Sequence, residues 1–266
     1  MNPGKVRKGL MMLVGLLLLS CSKPEEGCLD IRATNFDATA DESCCCTYPV
    51  LRLLLSHAAG SVFHSPDSVY VNDAGQSYRI MGVDYFLSDV ALLVEGTGWV
   101  RVSDSLTVTL EDGSILTVDD DILHVSRNQS SYSVGTLLTE GVIDSISFRI
   151  GLIPDLVSVD PEAFPADHPL HSPPDVLVDP TGGFGSVAVK LIAPAENGDT
   201  LTWSAALSTR VTLDVGQTVL TGYDVEIPMT VDYLQWIREE DVAQPSVINV
   251  TDWMARIALS FRYGNL

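Results

Sequence analysis

Apolar and polar residues alternate with a period of two along most of the chain after residue 50. Successive side chains of a strand point to opposite faces, so each run predicts a strand with one buried and one wet face. The apolar members of these runs are Leu51, Leu53 and Leu55; Leu106, Val108 and Leu110; Ile146, Phe148 and Ile150; Val187, Val189 and Leu191; Val211, Leu213 and Val215; and Val225, Ile227, Met229 and Val231. Because turn-forming pairs such as Asp-Gly at residues 112–113 separate the runs, the pattern predicts an all-β fold, an antiparallel β-sandwich.

Three segments depart from this alternation. Residues 232–240 and 251–259 have helical spacing, and each predicts a short C-terminal helix, with Asp232 and Thr251 as candidate N-caps. Residues 155–185 are rich in proline and have little periodicity, which predicts a long irregular loop insertion. Long loops of this kind often carry binding residues.

The first twenty residues have the parts of an export leader, a basic start followed by an apolar run at residues 10–19. That run is too short to cross a bilayer as a helix. The sequence Leu-Leu-Ser-Cys at residues 18–21 then matches a lipobox, in which the cysteine becomes lipidated. We therefore expect residues 1–20 to be a lipoprotein signal peptide, Cys21 to carry lipid, and the mature chain to lie outside the cytoplasm.

The formal net charge of the chain is −20, and three of its fifteen basic residues lie in the leader. The mature chain would carry twelve basic and thirty-five acidic side chains, a surface that repels the phosphates of nucleic acid. Nucleic acid is therefore excluded as an expected partner. Lys23 followed by Glu25 and Glu26 resembles the surface-export signal of Bacteroidetes lipoproteins, and a plain polar tether is the alternative. The predicted location is the outer membrane, facing either the periplasm or the outside.

All five cysteines lie in the first 46 residues. With Cys21 assigned to lipid, Cys28 and the consecutive Cys44, Cys45 and Cys46 remain. Exported proteins meet oxidising conditions, so we expect a disulfide from Cys28 to one of the three, while adjacent cysteines pair poorly with each other. The sequence leaves the connectivity open. A zinc site is the weaker alternative, since four-cysteine sites usually use two spaced pairs.

Residues 27–49 resemble a short repeat of Bacteroidetes surface proteins, Gly-Cys-x-Asp-x-x-Ala-x-Asn-Tyr-Asp followed by Asp-Asp-Gly-Ser-Cys-x-Tyr-Pro. The resemblance implies that residues 21–49 form a tether and a disulfide-bonded stalk. The carboxylates of Asp30, Asp37 and Asp41 are candidate ligands for Ca²⁺, which prefers oxygen. A stalk without metal, with its acids in solvent, is the favoured alternative.

A set of spaced residues in the main domain carries a family resemblance: Asn72, Gly75, Tyr78, Tyr85, Ser88, Leu92, Gly151, His168 and Leu170. On these residues, the segment 50–266 resembles the MbnP-like domain of methanobactin-associated periplasmic proteins and of many Bacteroidetes lipoproteins. The resemblance implies a β-sandwich binding protein, not an enzyme. Some members of the family bind copper through histidines, helped by a tryptophan that a dihaem enzyme oxidises to kynurenine, so a dihaem enzyme or a metal transporter is an implied partner.

Three histidines are the candidate metal ligands, because imidazole binds copper and zinc well. His168 and His171 lie three residues apart in the proline-rich insertion, whose stiffness would lower the entropy lost on binding. His57 shares strand parity with buried leucines and could complete the site. The alternative places His168 and His171 in an exposed loop and makes His57 a hydrogen-bonded core residue.

The motifs of common enzymes are missing from the sequence: it has no Gly-x-Ser-x-Gly elbow, no phosphate-binding loop and no His-Glu-x-x-His. We therefore predict a binding protein that captures or hands on a metal ion, with copper favoured. The alternative is a module without metal that recognises a peptide, a glycan or a partner protein through residues 155–185.

Overall fold

A computed structural model gives the fold, and the residues it describes are 23–178, 183–195, 198–206, 208–242 and 249–266. The predicted signal peptide and Cys21 lie outside these residues. In the described part, the model has no helix both long enough and apolar enough to cross a membrane.

The described residues form short and long strands with two helices near the C-terminus. The strands are β1 (Glu26–Gly27), β2 (Glu42–Ser43), β3 (Val50–Ala59), β4 (Val62–Phe63), β5 (Tyr70–Val71), β6 (Ser77–Val94), β7 (Gly98–Val100), β8 (Ser105–Thr109), β9 (Ile115–Asp119), β10 (Leu123–Ser126), β11 (Ser131–Thr136), β12 (Gly141–Ile150), β13 (Val187–Ala193), β14 (Asp199–Ala205), β15 (Thr209–Val219), β16 (Val225–Asp232) and β17 (Phe261–Tyr263). The helices are α1 (Leu234–Ile237) and α2 (Val250–Leu259).

Two sheets form the sandwich. The larger has the order β14-β13-β6-β12-β15, and β5, β7 and β10 also pair with its long central strand β6. The smaller has the order β11-β3-β16-β17, with β4 on β3. The pairs within both sheets are antiparallel except for β3 with β16. The prediction of an all-β sandwich is confirmed. The sequence pattern did not reveal that β3 and β16 pair in parallel.

The main core lies between the sheets and is built from the residues that the alternation places on one face. Each such side chain contributes roughly 1.5–3 kcal/mol when it leaves water. Almost fully buried members are Leu51, Leu53, Leu55, Ile146, Phe148, Ile150, Val225, Ile227 and Met229.

Both predicted helices are present and anchor tryptophans in this core. Trp236 of α1 donates its indole N–H to Ser260 Oγ at 2.8 Å, and Trp253 of α2 donates to the Trp236 carbonyl at 2.8 Å. A buried indole needs such a partner. These bonds tie the two helices to each other, while the buried tryptophan rings pack in the main core.

Both helix caps differ from the prediction. The N-cap of α1 is Tyr233, not Asp232, although Asp232 Oδ1 accepts the Leu234 N–H at 3.1 Å. The N-cap of α2 is Asn249, not Thr251, because the Asn249 side chain accepts the backbone N–H of Thr251 and of Asp252.

The proline-rich insertion has a core of its own on the outer face of the larger sheet. Its backbone is irregular, as predicted, with short 3₁₀ turns at Pro154–Leu156, Pro161–Ala163 and Asp175–Leu177. Phe86 and Ala188 of the sheet meet apolar side chains of the insertion and of the β8–β9 hairpin, and this second core fixes the insertion in place. The insertion and hairpin residues fully or nearly fully buried there are Leu106, Val108, Leu156, Phe164, Leu170, Leu177 and Phe184.

The stalk is a folded unit closed by the Cys28–Cys46 disulfide, which confirms that Cys28 pairs with one of the three consecutive cysteines. The expectation that adjacent cysteines stay apart is wrong here, because Cys44 is joined to Cys45, whose backbone is left-handed with φ of 59°. Asn35 braces the same turn, since its side chain donates to the Cys45 carbonyl and accepts the N–H of residue 47.

A bulge interrupts β6 at its centre. The pairing of β6 with β12 shifts register between Ser147 and Arg149, and Asp89 in the bulge adopts a left-handed φ of 56°. The buried Asp121 carboxylate accepts the N–H groups of Asp89 and Val90, at 3.0 and 2.6 Å. Burial raises the pKa of Asp121 to about 6, although the hydrogen bond from Val90 opposes the shift.

We predict that Leu170→Ala lowers the free energy of unfolding by about 2–4 kcal/mol, because the fully buried side chain would leave a cavity in the second core. Urea denaturation measures this loss. The matched control is Leu220→Ala at a 62% exposed residue, with an expected change within about 0.5 kcal/mol. Equal small effects of the two substitutions would show that the insertion does not fold with the sheet.

We also predict a pH-dependent difference between the wild type and Asp121→Asn. A carboxyl with a raised pKa in the folded state destabilises that state once it ionises, so its stabilising contribution is complete below about pH 4 and lost by about pH 6. From pH 4 to pH 7, the free energy of unfolding of the variant should therefore rise by about 2–3 kcal/mol relative to the wild type. Urea denaturation of both proteins at each pH tests this, and a constant difference would contradict it.

Candidate functional site

A cleft of about 850 Å³ lies between residues 165–172 of the insertion and the region of β10 and β11 in the sandwich. One wall belongs to the insertion, which the second core holds against the sheet. The polar side chains around the cleft include Asp104, Asp120, His124, Tyr132, Asp167 and His168.

His168 is the predicted site residue that lines this cleft. Its ring stacks on Phe164, with ring centroids 5.2 Å apart and planes 13° apart, and its side chain is only 6% exposed. Nδ1 accepts the Leu170 N–H at 3.2 Å, so the neutral ring carries its proton on Nε2. That nitrogen lies 3.3 Å from Asp120 Oδ1, but the geometry is not that of a hydrogen bond, and Nε2 is buried without a partner.

His171 lies in the same turn as His168, but its ring faces the backbone carbonyl of Phe164. Its Nδ1 is 2.9 Å from the Phe164 carbonyl, and since a carbonyl only accepts, Nδ1 is the donor there. The bond helps to hold Phe164 under the ring of His168. His171 itself is not among the residues that line the cleft.

His57 is half-buried on β3, and both of its ring nitrogens are engaged. Nε2 is 2.6 Å from the Gln129 carbonyl and must donate to it, so Nδ1 accepts from the Tyr233 hydroxyl at 2.6 Å. Burial lowers the pKa of His57, which favours the neutral ring. This geometry matches the alternative interpretation of His57 as a hydrogen-bonded core residue.

The three histidines are not brought together. Within the described ranges, no three histidine, cysteine, aspartate or glutamate side chains form a group that could hold a metal ion. His57 has no free nitrogen, and the Nδ1 atoms of His168 and His171 are both occupied. Copper binding stays a prediction.

The candidate calcium ligands of the stalk have separate partners inside the chain. Asp30 accepts from the Arg32 guanidinium at 2.7 and 3.0 Å, which holds the pKa of that carboxyl well below its usual range. Asp37 accepts from the backbone and the hydroxyl of Thr39, and Asp41 accepts the Glu25 N–H. These contacts shape the stalk loops without bringing the three carboxylates into one group.

Sequence reasoning missed Asp120, which belongs to the acidic run at residues 119–121. The three carboxylates diverge: Asp119 pairs with Arg101 at 3.4 Å, Asp120 faces His168, and Asp121 holds the β6 bulge. Since β9 ends within this run, alternation no longer predicts where each side chain points. Nothing in the sequence links Asp120 to a histidine 48 residues away.

The residues that suggested the family resemblance have structural roles in this chain. Asn72 is buried and bonds both to Gln76 and to the Glu240 carbonyl. Ser88 Oγ donates to the Gly151 carbonyl at 2.8 Å. Gly151 has φ of 97°, and a Cβ there would lie 2.6 Å from Ser186 Oγ, so glycine is required for space and for backbone conformation. None of these three residues lines the cleft.

Comparison with known proteins gives one similar structure. No family model matches the chain, and no curated protein matches it. Among solved structures, MbnP from Methylosinus trichosporium is similar, with 12% sequence identity and a TM-score of 0.42 over 73% of this chain and 78% of that chain. Membership of the MbnP-like family stays a prediction.

Proposed function

We propose that this chain is a lipid-anchored, extracytoplasmic binding protein, not an enzyme, and that it holds a polar organic ligand in the cleft beside His168. The leader and lipobox support the anchor and the location. The cleft, its rigid wall and the state of His168 support the binding role.

The single observation that carries the proposal is the buried Nε2 of His168. A buried polar group without a hydrogen bond costs roughly 1–3 kcal/mol, so most such groups in folded proteins have a partner. Nε2–H offers a donor at the cleft wall, and Asp120 Oδ1 offers an acceptor 3.3 Å away. A hydroxyl or an amide can satisfy both, and these are the groups that glycans and peptides present.

The cleft wall is rigid before any ligand binds. Phe164 is buried in the second core and stacks under His168, and prolines flank the segment at Pro165 and Pro169. A preorganised wall lowers the entropy lost on binding. The carboxylates of Asp120 and Asp167 disfavour an anionic ligand, so the expected ligand is neutral or cationic.

Copper capture is the second candidate function. The observation that supports it is the distance of 3.3 Å between His168 Nε2 and Asp120 Oδ1. An imidazole nitrogen and a carboxylate oxygen this close together could both bind one metal ion. The hydrogen bond from Leu170 opposes it, since Nε2 can bind a metal only when Nδ1 carries the proton. A metal transporter that receives the copper, or a dihaem enzyme, is an expected partner only if this second function is the correct one.

We predict that a panel of chito-oligosaccharides, malto-oligosaccharides and short neutral or lysine-containing peptides contains a class that raises the melting temperature of the mature protein. His168→Ala and Asp120→Asn should abolish the shift, because each removes one of the paired ligand contacts. Leu220→Ala is the control, since this exposed side chain does not line the cleft. A shift that survives in His168→Ala would place the ligand elsewhere.

We predict that Cu²⁺ binds the wild type no more tightly than it binds His168→Ala in isothermal titration. The Leu170 hydrogen bond keeps the proton on Nε2, which blocks the lone pair that copper would use. Stoichiometric copper that depends on His168 would contradict this prediction and favour the second candidate. His57→Ala should leave any copper binding unchanged, because both of its ring nitrogens are already engaged.

A further inference from the structure

Three arginines converge on one aspartate at the β6 bulge. Asp89 is largely buried, with an 11% exposed side chain, and pairs with Arg101 at 2.5 Å, with Arg149 at 3.6 Å and with Arg210. The mature chain would have only twelve basic residues against thirty-five acidic ones. A quarter of its basic side chains therefore gather at a single carboxylate.

The three arginines of this cluster differ in the number of acidic partners that they have. Arg101 has a second partner in Asp119 at 3.4 Å, and Asp121 lies on the same buried side of the bulge. Arg149 and Arg210, by contrast, both rely on Asp89 Oδ2, which is their one ion-pair partner within the described residues. Two guanidinium groups thus share one carboxylate oxygen, so the group of Arg149, Arg210 and Asp89 carries one net positive charge.

Arg149 and Arg210 lie directly opposite each other in the pairing of β12 with β15. Like charges at opposed positions of an antiparallel pair destabilise a sheet. Asp89 offsets only part of this repulsion, because it carries a single negative charge. An anion placed between the two guanidinium groups would offset the rest.

Hydrogen-bond donors at this pair remain unused. A guanidinium has five N–H donors. Arg149 donates to Ser208 Oγ at 3.2 Å while its Nε has no partner, and Arg210 donates to Ser147 Oγ at 3.1 Å. The side chain of Arg210 is 42% exposed, so its remaining donors can reach a ligand from solvent.

We propose that Arg149 and Arg210, together with the hydroxyl of Ser208, bind a phosphate or sulfate group. Planar guanidinium groups bind oxyanions through paired hydrogen bonds. Two guanidinium groups on neighbouring strands and one hydroxyl offer more donors than a carboxylate with two oxygens can use, which favours a group with three or more oxygens. The site is separate from the cleft, because none of these three residues lines it.

Asp89 has two opposing effects on the proposed anion site. It holds the guanidinium groups in place and competes with the ligand for their donors. Asparagine at this position would keep the shape and tolerates a left-handed backbone well, while it removes the competing charge. We therefore expect that removal of the acid at the centre of this site strengthens anion binding.

The test is isothermal titration of the mature protein at low ionic strength with inorganic phosphate, inorganic sulfate and acetate. Phosphate or sulfate should bind more tightly than acetate, and the tighter of the two identifies the group. Arg210→Gln should weaken that binding about tenfold or more, as expected for loss of a charge-assisted contact. Asp89→Asn should strengthen it several-fold. Arg52→Gln, which removes an exposed pair with Asp224 elsewhere, should change nothing.

Three results would overturn the proposal. The first is phosphate and sulfate binding that does not exceed acetate binding. The second is an affinity that Arg210→Gln leaves unchanged, with circular dichroism confirming that the variant is folded. The third is weaker binding in a folded Asp89→Asn, which would mean that the cluster is a purely structural ion pair.

Discussion

The Asp121 carboxylate holds the central strand of the larger sheet in a shape that the rest of the structure requires. At the bulge, β6 gains one residue, and the N–H groups of Asp89 and Val90 turn to Asp121. Between residue 83 and the bulge, the inward side chains of β6 are odd-numbered, as at Leu87, and after it they are even-numbered, as at Leu92. Without the bulge, the part of this 18-residue strand that follows it would direct its apolar residues away from the core.

The same change of parity explains which strands the sequence could predict. Alternation indicated β3, β12, β13, β15 and β16, because each buries one face over most of its length. It did not indicate β6, although β6 pairs with more strands than any other described strand, because no single period describes it. Leu106 and Val108 were predicted to be buried and are, but in the second core under the insertion. Period alone cannot say against which surface a buried face packs.

The sequence predicted only part of the candidate site, because it does not show which distant residues become neighbours. The proline content of residues 155–185 indicated an unusual loop, and His168 does line the main cleft. Its neighbour Asp120 could not be found, because the two meet only when the second core docks the insertion against the sheet. His57 is a different case. Its strand parity indicated a position facing the core, and the structure leaves it half-buried. Its partner Tyr233 lies 176 residues away, so the sequence could not show that a hydrogen bond occupies Nδ1 of the ring. Partner choice is a tertiary property, and single-strand patterns do not contain it.

The acidic run at residues 119–121 connects these features physically. Asp119 pairs with an arginine of the Asp89 cluster, Asp120 faces the cleft, and Asp121 fixes the bulge that positions Asp89. A shift of this short segment would therefore move the cleft wall and the arginine cluster together. Since neighbouring groups that share partners are not energetically independent, single substitutions in the run should be interpreted with a double-mutant cycle across the two sites. An acidic stretch that looks like ordinary surface charge in the sequence therefore supports, in the fold, both of the proposed binding sites.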